Sequence, residues 1–232
     1  MKRVNLLAAG VLAFAQTLAG AAVAAPVTLT GSTVDFAFDD ALLGLFGPAS
    51  VAGDTLFFTP TAFEAQSLNG AGFSLTRATL NIRLTAHAGH GFESVGVAER
   101  GDYLLLGAGG MADVGGQVRV FNVASPLADL TAAIASPVPM TATGLPTHDW
   151  SAGAFVDVSG LGARALNVTL ENLLVAATFD PAALAFVEKK FAALTVDTVA
   201  VTPVPEADRY AMMLAGLGLV GWAALRRRTA AT

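Results

Sequence analysis

Cysteine is absent from this 232-residue chain. No disulfide can hold it, and no thiolate can serve it as nucleophile or metal ligand. Histidine occurs only three times, at 87, 90 and 148. No Gly-x-Ser-x-Gly elbow presents a nucleophilic serine, and neither a phosphate-binding loop nor a dinucleotide fingerprint occurs. Charge is sparse: no residue from Ala211 to Leu225 is charged or carries an amide. Basic residues are scarcest of all in the middle of the chain. From Pro26 to Val204 there are seven Lys/Arg against sixteen Asp/Glu, a net charge of −9, whereas the whole chain stands at −5 because basic residues gather at its two ends. A body this acidic repels phosphate backbones, which excludes nucleic acid as the expected partner.

The two ends carry the clearest signals. Met1-Lys2-Arg3 leads into an apolar stretch from Val4 to Leu18, then small residues up to Ala25. That order predicts a secretory signal peptide over 1–24, read by the Sec translocon and signal peptidase. Cleavage after Ala24 is expected, because a cut after Ala25 would place Pro26 next to the scissile bond. At the other end, Val204 to Arg209 precedes an apolar run of sixteen residues, Tyr210 to Leu225, stopped by Arg226-Arg227-Arg228. As a helix the run covers about 24 Å, against a bilayer core of about 30 Å. Arg209 reaching outward and Trp222 at headgroup level lengthen the effective span. A helix apolar on all sides must be buried, in a core or in a membrane. The reading is one transmembrane helix at 210–225, a cytoplasmic basic tail at 226–232, and the body outside the cytoplasmic membrane.

Pro205-Glu206-Ala207, the Tyr210–Gly221 run and Arg226, Arg227 and Arg228 together resemble the PEP-CTERM sorting signal of Gram-negative bacteria. Ala207 stands where that family carries a second proline. The resemblance is confined to the C-terminal segment and says nearly nothing about the body. It implies an exosortase-like processing enzyme as partner. It also implies an inner-membrane-anchored precursor, then delivery to the cell surface or the extracellular matrix of exopolysaccharide-producing, biofilm-forming cells.

The body, 25–201, reads as β-structure. Leu80, Ile82 and Leu84 alternate with Asn81, Arg83 and Thr85, and the same period recurs at Val118 and Val120 and at Leu166, Val168 and Leu170. Period two with one apolar face marks half-buried antiparallel strands. Further strands are expected at Val27–Thr33, Thr55–Thr59, Phe73–Thr76, Ser94–Glu99, Tyr103–Leu106 and Leu194–Val201. Arg100-Gly101-Asp102 reads as a hairpin turn, and Gly109-Gly110, Gly115-Gly116 and Pro137–Pro146 as loops. Asp39–Leu45 suits one helical turn. Asp180-Pro181 suits a helix start running to Phe191, with a strand from Ala185 as the alternative. The predicted fold is all-β, a single antiparallel β-sandwich or jelly-roll-like domain plus one C-terminal transmembrane helix, joined by a Pro-rich linker at 202–209.

Candidate ligand-binding residues are few. Asp35, Asp39 and Asp40 could offer calcium a set of carboxylates, although each also suits a strand flank or a turn cap. His87 and His90, three apart beside Glu93, could share a metal, or simply face water. Trp150, beside His148 and Asp149, could stack on a sugar, or anchor the core. No pair of carboxylates is singled out for glycoside hydrolysis. The expected protein has no cofactor, no metal and no catalytic residue. It is an exported, non-enzymatic surface or matrix protein, with surface polysaccharide as a further candidate partner. The rival is a carbohydrate-binding module or polysaccharide-acting hydrolase on the same scaffold.

Overall fold

The computed structural model describes residues 26–201 and 212–220. Twelve strands build the body: β1 (Val27–Thr30), β2 (Val34–Phe38), β3 (Ala49–Ala52), β4 (Thr55–Phe58), β5 (Glu64–Leu68), β6 (Gly72–Ala86), β7 (His90–Leu106), β8 (Gly110–Asn122), β9 (Ser125–Ala135), β10 (His148–Asp157), β11 (Ala165–Thr178) and β12 (Leu184–Ala200). The pairs are antiparallel and form one path, β1-β2-β6-β11-β8-β9-β10-β7-β12-β4-β3, with β5 on the outer edge of β12. The sheet curls until its ends almost meet. The turn after β1 lies against the turn after β3, where Ser32 N–H donates to the Gly53 carbonyl at 3.2 Å. Thr33 closes the same seam by donating its N–H and Oγ1 to the Asp54 carboxylate at 2.8 and 2.6 Å. The product is a nearly closed, barrel-like antiparallel sheet.

Alternation decides what lies inside. Leu80, Ile82 and Leu84 of β6 stand opposite Leu170, Val168 and Leu166 of β11. On the other side of β11, Val118 and Val120 of β8 complete the layer. All eight are buried, as their period requires. A register slip of one residue would turn this whole set toward water, so burial itself fixes the pairing. Phe46 fills one end of the interior against Phe58 at 5.6 Å and edge-on against Phe63 at 5.8 Å.

Glycine misleads at two places. Arg100-Gly101-Asp102 lies in the middle of β7 and is not a turn. A Cβ at Gly101 would sit 1.8 Å from the Glu188 carbonyl oxygen and 2.8 Å from the Trp150 ring, so this glycine marks a close approach. Gly115-Gly116 likewise lies within β8. At Gly116 φ is +154° and a Cβ would fall 2.0 Å from the Glu171 carbonyl oxygen. The segment from Asp180 resolves toward the strand alternative. Asp180 caps a turn by accepting from Ala182 N–H at 2.8 Å, and β12 then runs from Leu184. The expected strand at Val27–Thr33 is interrupted by the turn at Gly31–Thr33. The helical turn near Asp39 is present as two short 3-10 turns, Asp40–Leu42 and Gly44–Phe46.

Residues 212–220 are helical with exposed side chains. Among the described residues no helix is long and apolar enough to cross a membrane. The signal peptide at 1–24, the linker and sorting motif at 202–209, the basic tail at 226–232 and the remainder of the 210–225 span lie outside the described residues.

Ile82 and Leu170 are fully enclosed. Truncating either to Ala is expected to cost about 2–5 kcal/mol of folding stability, through lost transfer energy plus a cavity. Denaturant unfolding measures this, and losses well under that range would mean that the inner layer does not hold the fold.

Candidate functional site

The sequence candidates separate into three places. Asp35, on β2, and His87, in the turn after β6, come together: the His87 Nε2–H donates to Asp35 Oδ1, 3.0 Å away. The contact holds Asp35 below the usual carboxylate range and lifts His87 above the usual imidazole range. His90 enters β7 three residues later with its Nδ1 buried and unpartnered. Asp39 accepts from Ala41 N–H at 3.0 Å and so caps a turn. Asp40 belongs to that turn. Among the described residues, no three His, Asp or Glu side chains converge as a metal cage. Trp150 is only 5% exposed. Its Nε1–H donates to the carbonyls of Asp102 and Glu188 at 3.2 and 3.0 Å, so its ring fills the space that Gly101 vacates. It anchors the wall and offers no open face for stacking.

Beside Trp150 lies a groove of about 500 Å³, bordered by Arg100, Asp102, Tyr103, Met140, Asp149 and Lys190. Asp149 of β10 stands directly opposite Asp102 of β7. Lys190 pairs with Asp102 and also reaches Glu188 Oε1 at 2.9 Å, contacts that raise its pKa. The Tyr103 hydroxyl accepts from Ala142 N–H at 3.1 Å and pins the loop that forms the other rim.

A third group was not anticipated. In β12, Lys189 follows Ala185 and Val187 onto the inner face and Lys190 points out to the groove, and a bulge between Lys189 and Phe191 then shifts the inward set to Ala192 and Leu194. There the Lys189 Nζ donates to Glu99 Oε2 at 2.5 Å and to the Asn172 Oδ1. It also lies 5.0 Å from the centre of the Phe63 ring. Lys189, Glu99 and Asn172 are 2%, 1% and 0% exposed. Burial pushes Lys189 below the usual lysine range, with the Glu99 charge pulling the other way. Two atoms of the cluster, Glu99 Oε1 and Asn172 Nδ2, are buried without any partner. Each such orphan costs about 1–3 kcal/mol. Room for the cluster comes from small neighbours: Ala152 and Ala192 flank Glu99, Ala78 and Gly116 flank Asn172, and Gly101 sits beside Lys189.

No protein-family model matches the chain, and no curated protein matches it in sequence. Among solved structures, the chain is similar to infectious bursal disease virus Gx strain, with 12% identity, a TM-score of 0.28, and coverage of 70% of this chain and 48% of that one. It is also similar to a carbohydrate-binding module in complex with β-1,4-galactotriose, at 8% identity and TM-score 0.19, covering 57% and 88%. Another carbohydrate-binding structure, from the β-sandwich superfamily, matches at 8% identity and TM-score 0.23, covering 75% and 98%. The chain spans about half the length of the viral chains it matches. Similarities this slight assign neither family nor function.

The Asp35–His87 pair sets a pH dependence. The contribution from protonated His87 is complete below the ordinary imidazole range and is lost as pH rises through its raised pKa. The contribution from Asp35 is present above the ordinary carboxylate range and is lost as pH falls through its lowered pKa. The wild type is therefore expected to melt slightly above His87→Gln at mildly acidic pH, with the difference vanishing at alkaline pH and shrinking with salt. A gap of equal size at both pH values would show that the pair contributes no charge interaction.

Proposed function

We propose that the chain is an exported, non-enzymatic cell-surface or extracellular-matrix protein, a sandwich-like β body followed by a membrane helix at 210–225. In this reading it is anchored in the inner membrane with the body outside, then processed by an exosortase-like enzyme and released to the surface. The observation that carries it is the order of Pro205-Glu206-Ala207, the apolar run and Arg226-Arg227-Arg228. The body adds support. Its inner face is filled mainly by apolar side chains, and its one tryptophan is buried.

The rival reading, carbohydrate binding, rests on the groove itself, where Asp149, Ser151 and Arg100 offer polar edges to a hydroxylated ligand. The full chain should be expressed in a Gram-negative host with and without its exosortase, and its mass and location followed. Processing is expected only in the first host, slowed by Pro205→Ala or Glu206→Ala. Arg226→Ser, Arg227→Ser and Arg228→Ser together are expected to impair both retention and processing. Unchanged mass and location across these variants would overturn the sorting assignment. Retention of the wild type on insoluble polysaccharide, lost in Asp149→Ala, would favour the rival.

A further inference from the structure

We propose that Lys189 and Asn172 form an intramolecular isopeptide bond, with Glu99 as the proton carrier, so that the body fastens β11 to β12 by a covalent amide. The inference is independent of the sorting assignment, since it concerns only the interior of the sheet. Three observations carry it. The Lys189 amine touches both other groups at once, the Asn172 carboxamide at Oδ1 and the Glu99 carboxyl at Oε2. All three side chains are sealed from water. The two polar atoms left over, Glu99 Oε1 and Asn172 Nδ2, are a proton donor or acceptor and the nitrogen that would depart.

The chemistry follows from the surroundings. In an apolar interior an ammonium facing a carboxylate loses its advantage over the neutral pair, an amine facing a carboxylic acid. Desolvation is also what makes a lysine nucleophilic. In the reactive form Lys189 is the amine and Glu99 holds the shared proton. A hydrogen bond from Glu99 to the Asn172 carbonyl oxygen would polarise it. The Nζ lone pair adds to Cγ, and the Nζ–Cγ bond forms. The Cγ–Nδ2 bond then breaks. Glu99 takes one proton from Nζ and delivers one to Nδ2, which leaves as ammonia. Glu99 ends as it began, nothing is oxidised or reduced, and no co-reactant is required. The departing group is the unpartnered NH₂, so the reaction removes one of the two buried orphans. Gly101 stands opposite Lys189 and Gly116 opposite Asn172, so neither neighbour crowds the two side chains.

The link has a clear signature. Glu171 and Glu188 bracket the segment that begins with Asn172, and Lys189 begins the next one. After digestion of the full chain with a glutamyl endopeptidase, the segment 172–188 and the segment starting at Lys189 are expected to stay joined. Their combined mass should fall short of the sum of the two by one ammonia. Trypsin should fail to cut after Lys189 but cut after Lys190. Glu99→Gln and Lys189→Met, checked for folding by circular dichroism, should release the two segments separately. If the folded wild type itself releases them separately after prolonged incubation, the proposal is overturned. Loss of ammonia from Asn172 without joining would equally overturn it, since that marks ring closure onto the asparagine's own backbone. A folded Glu99→Gln protein that links as fast as wild type would remove Glu99 from the mechanism.

Discussion

A body without cysteine that is built mostly of strands has only its interior to hold it, and here that interior must be filled from every second residue of a single curling sheet. Everything else follows from that demand. The cross-strand stack of β6, β11 and β8 fixes register because any slip would expose it. The sheet must then close, since an open edge would leave unpaired backbone groups in water or against another chain. Closure falls to the hairpin tips, where the Asp54 carboxylate takes both donors of Thr33. Polar side chains can enter such an interior only in company, as the Ser67–Thr178 pair and the Lys189–Glu99–Asn172 cluster do.

How much of this is written in the chain differs from strand to strand. The inward residues of β6, β8 and β11 are legible because their alternation is unbroken and local. The longer course of β7 and β8 is not, because glycine has two physical meanings. It can supply a turn, or it can make room for a neighbour, and only the position of Trp150 and of the Glu171 carbonyl decides between them. β12 is obscured by alanines that suit helix as well as strand, and by a bulge that shifts its period by one.

The candidate residues follow the same division. Asp35 and His87 are 52 positions apart, so nothing local marks them as a pair. The interior cluster did leave a trace. Asn172 continues the inward register of Leu166, Val168 and Leu170, and Glu99 that of Val95 and Val97. An amide and a carboxylate in the apolar register are costly unless they meet a partner, and that anomaly is visible in the sequence. The partner is harder to see: Lys189 continues the inward register of Ala185 and Val187, but it sits where alanines suit a helix as well as a strand and just before a bulge that shifts the period. Sorting residues pose the opposite case: Pro205, Glu206 and the arginines are conspicuous in the sequence.

The position of β12 has a mechanical side. The chain leaves the body at Val201, immediately after this strand. β12 is not an edge. β7 pairs with it over its length, and β5 and then β4 flank its other side. Tension arriving through the C-terminal connection meets the β7 ladder alone at Asp197–Ala200, but from Thr195 inward it reaches a strand flanked on both sides, and detaching that part requires breaking two ladders together. A body tethered by an edge strand could be peeled open one hydrogen bond at a time; this one spreads the same tug over its central seam.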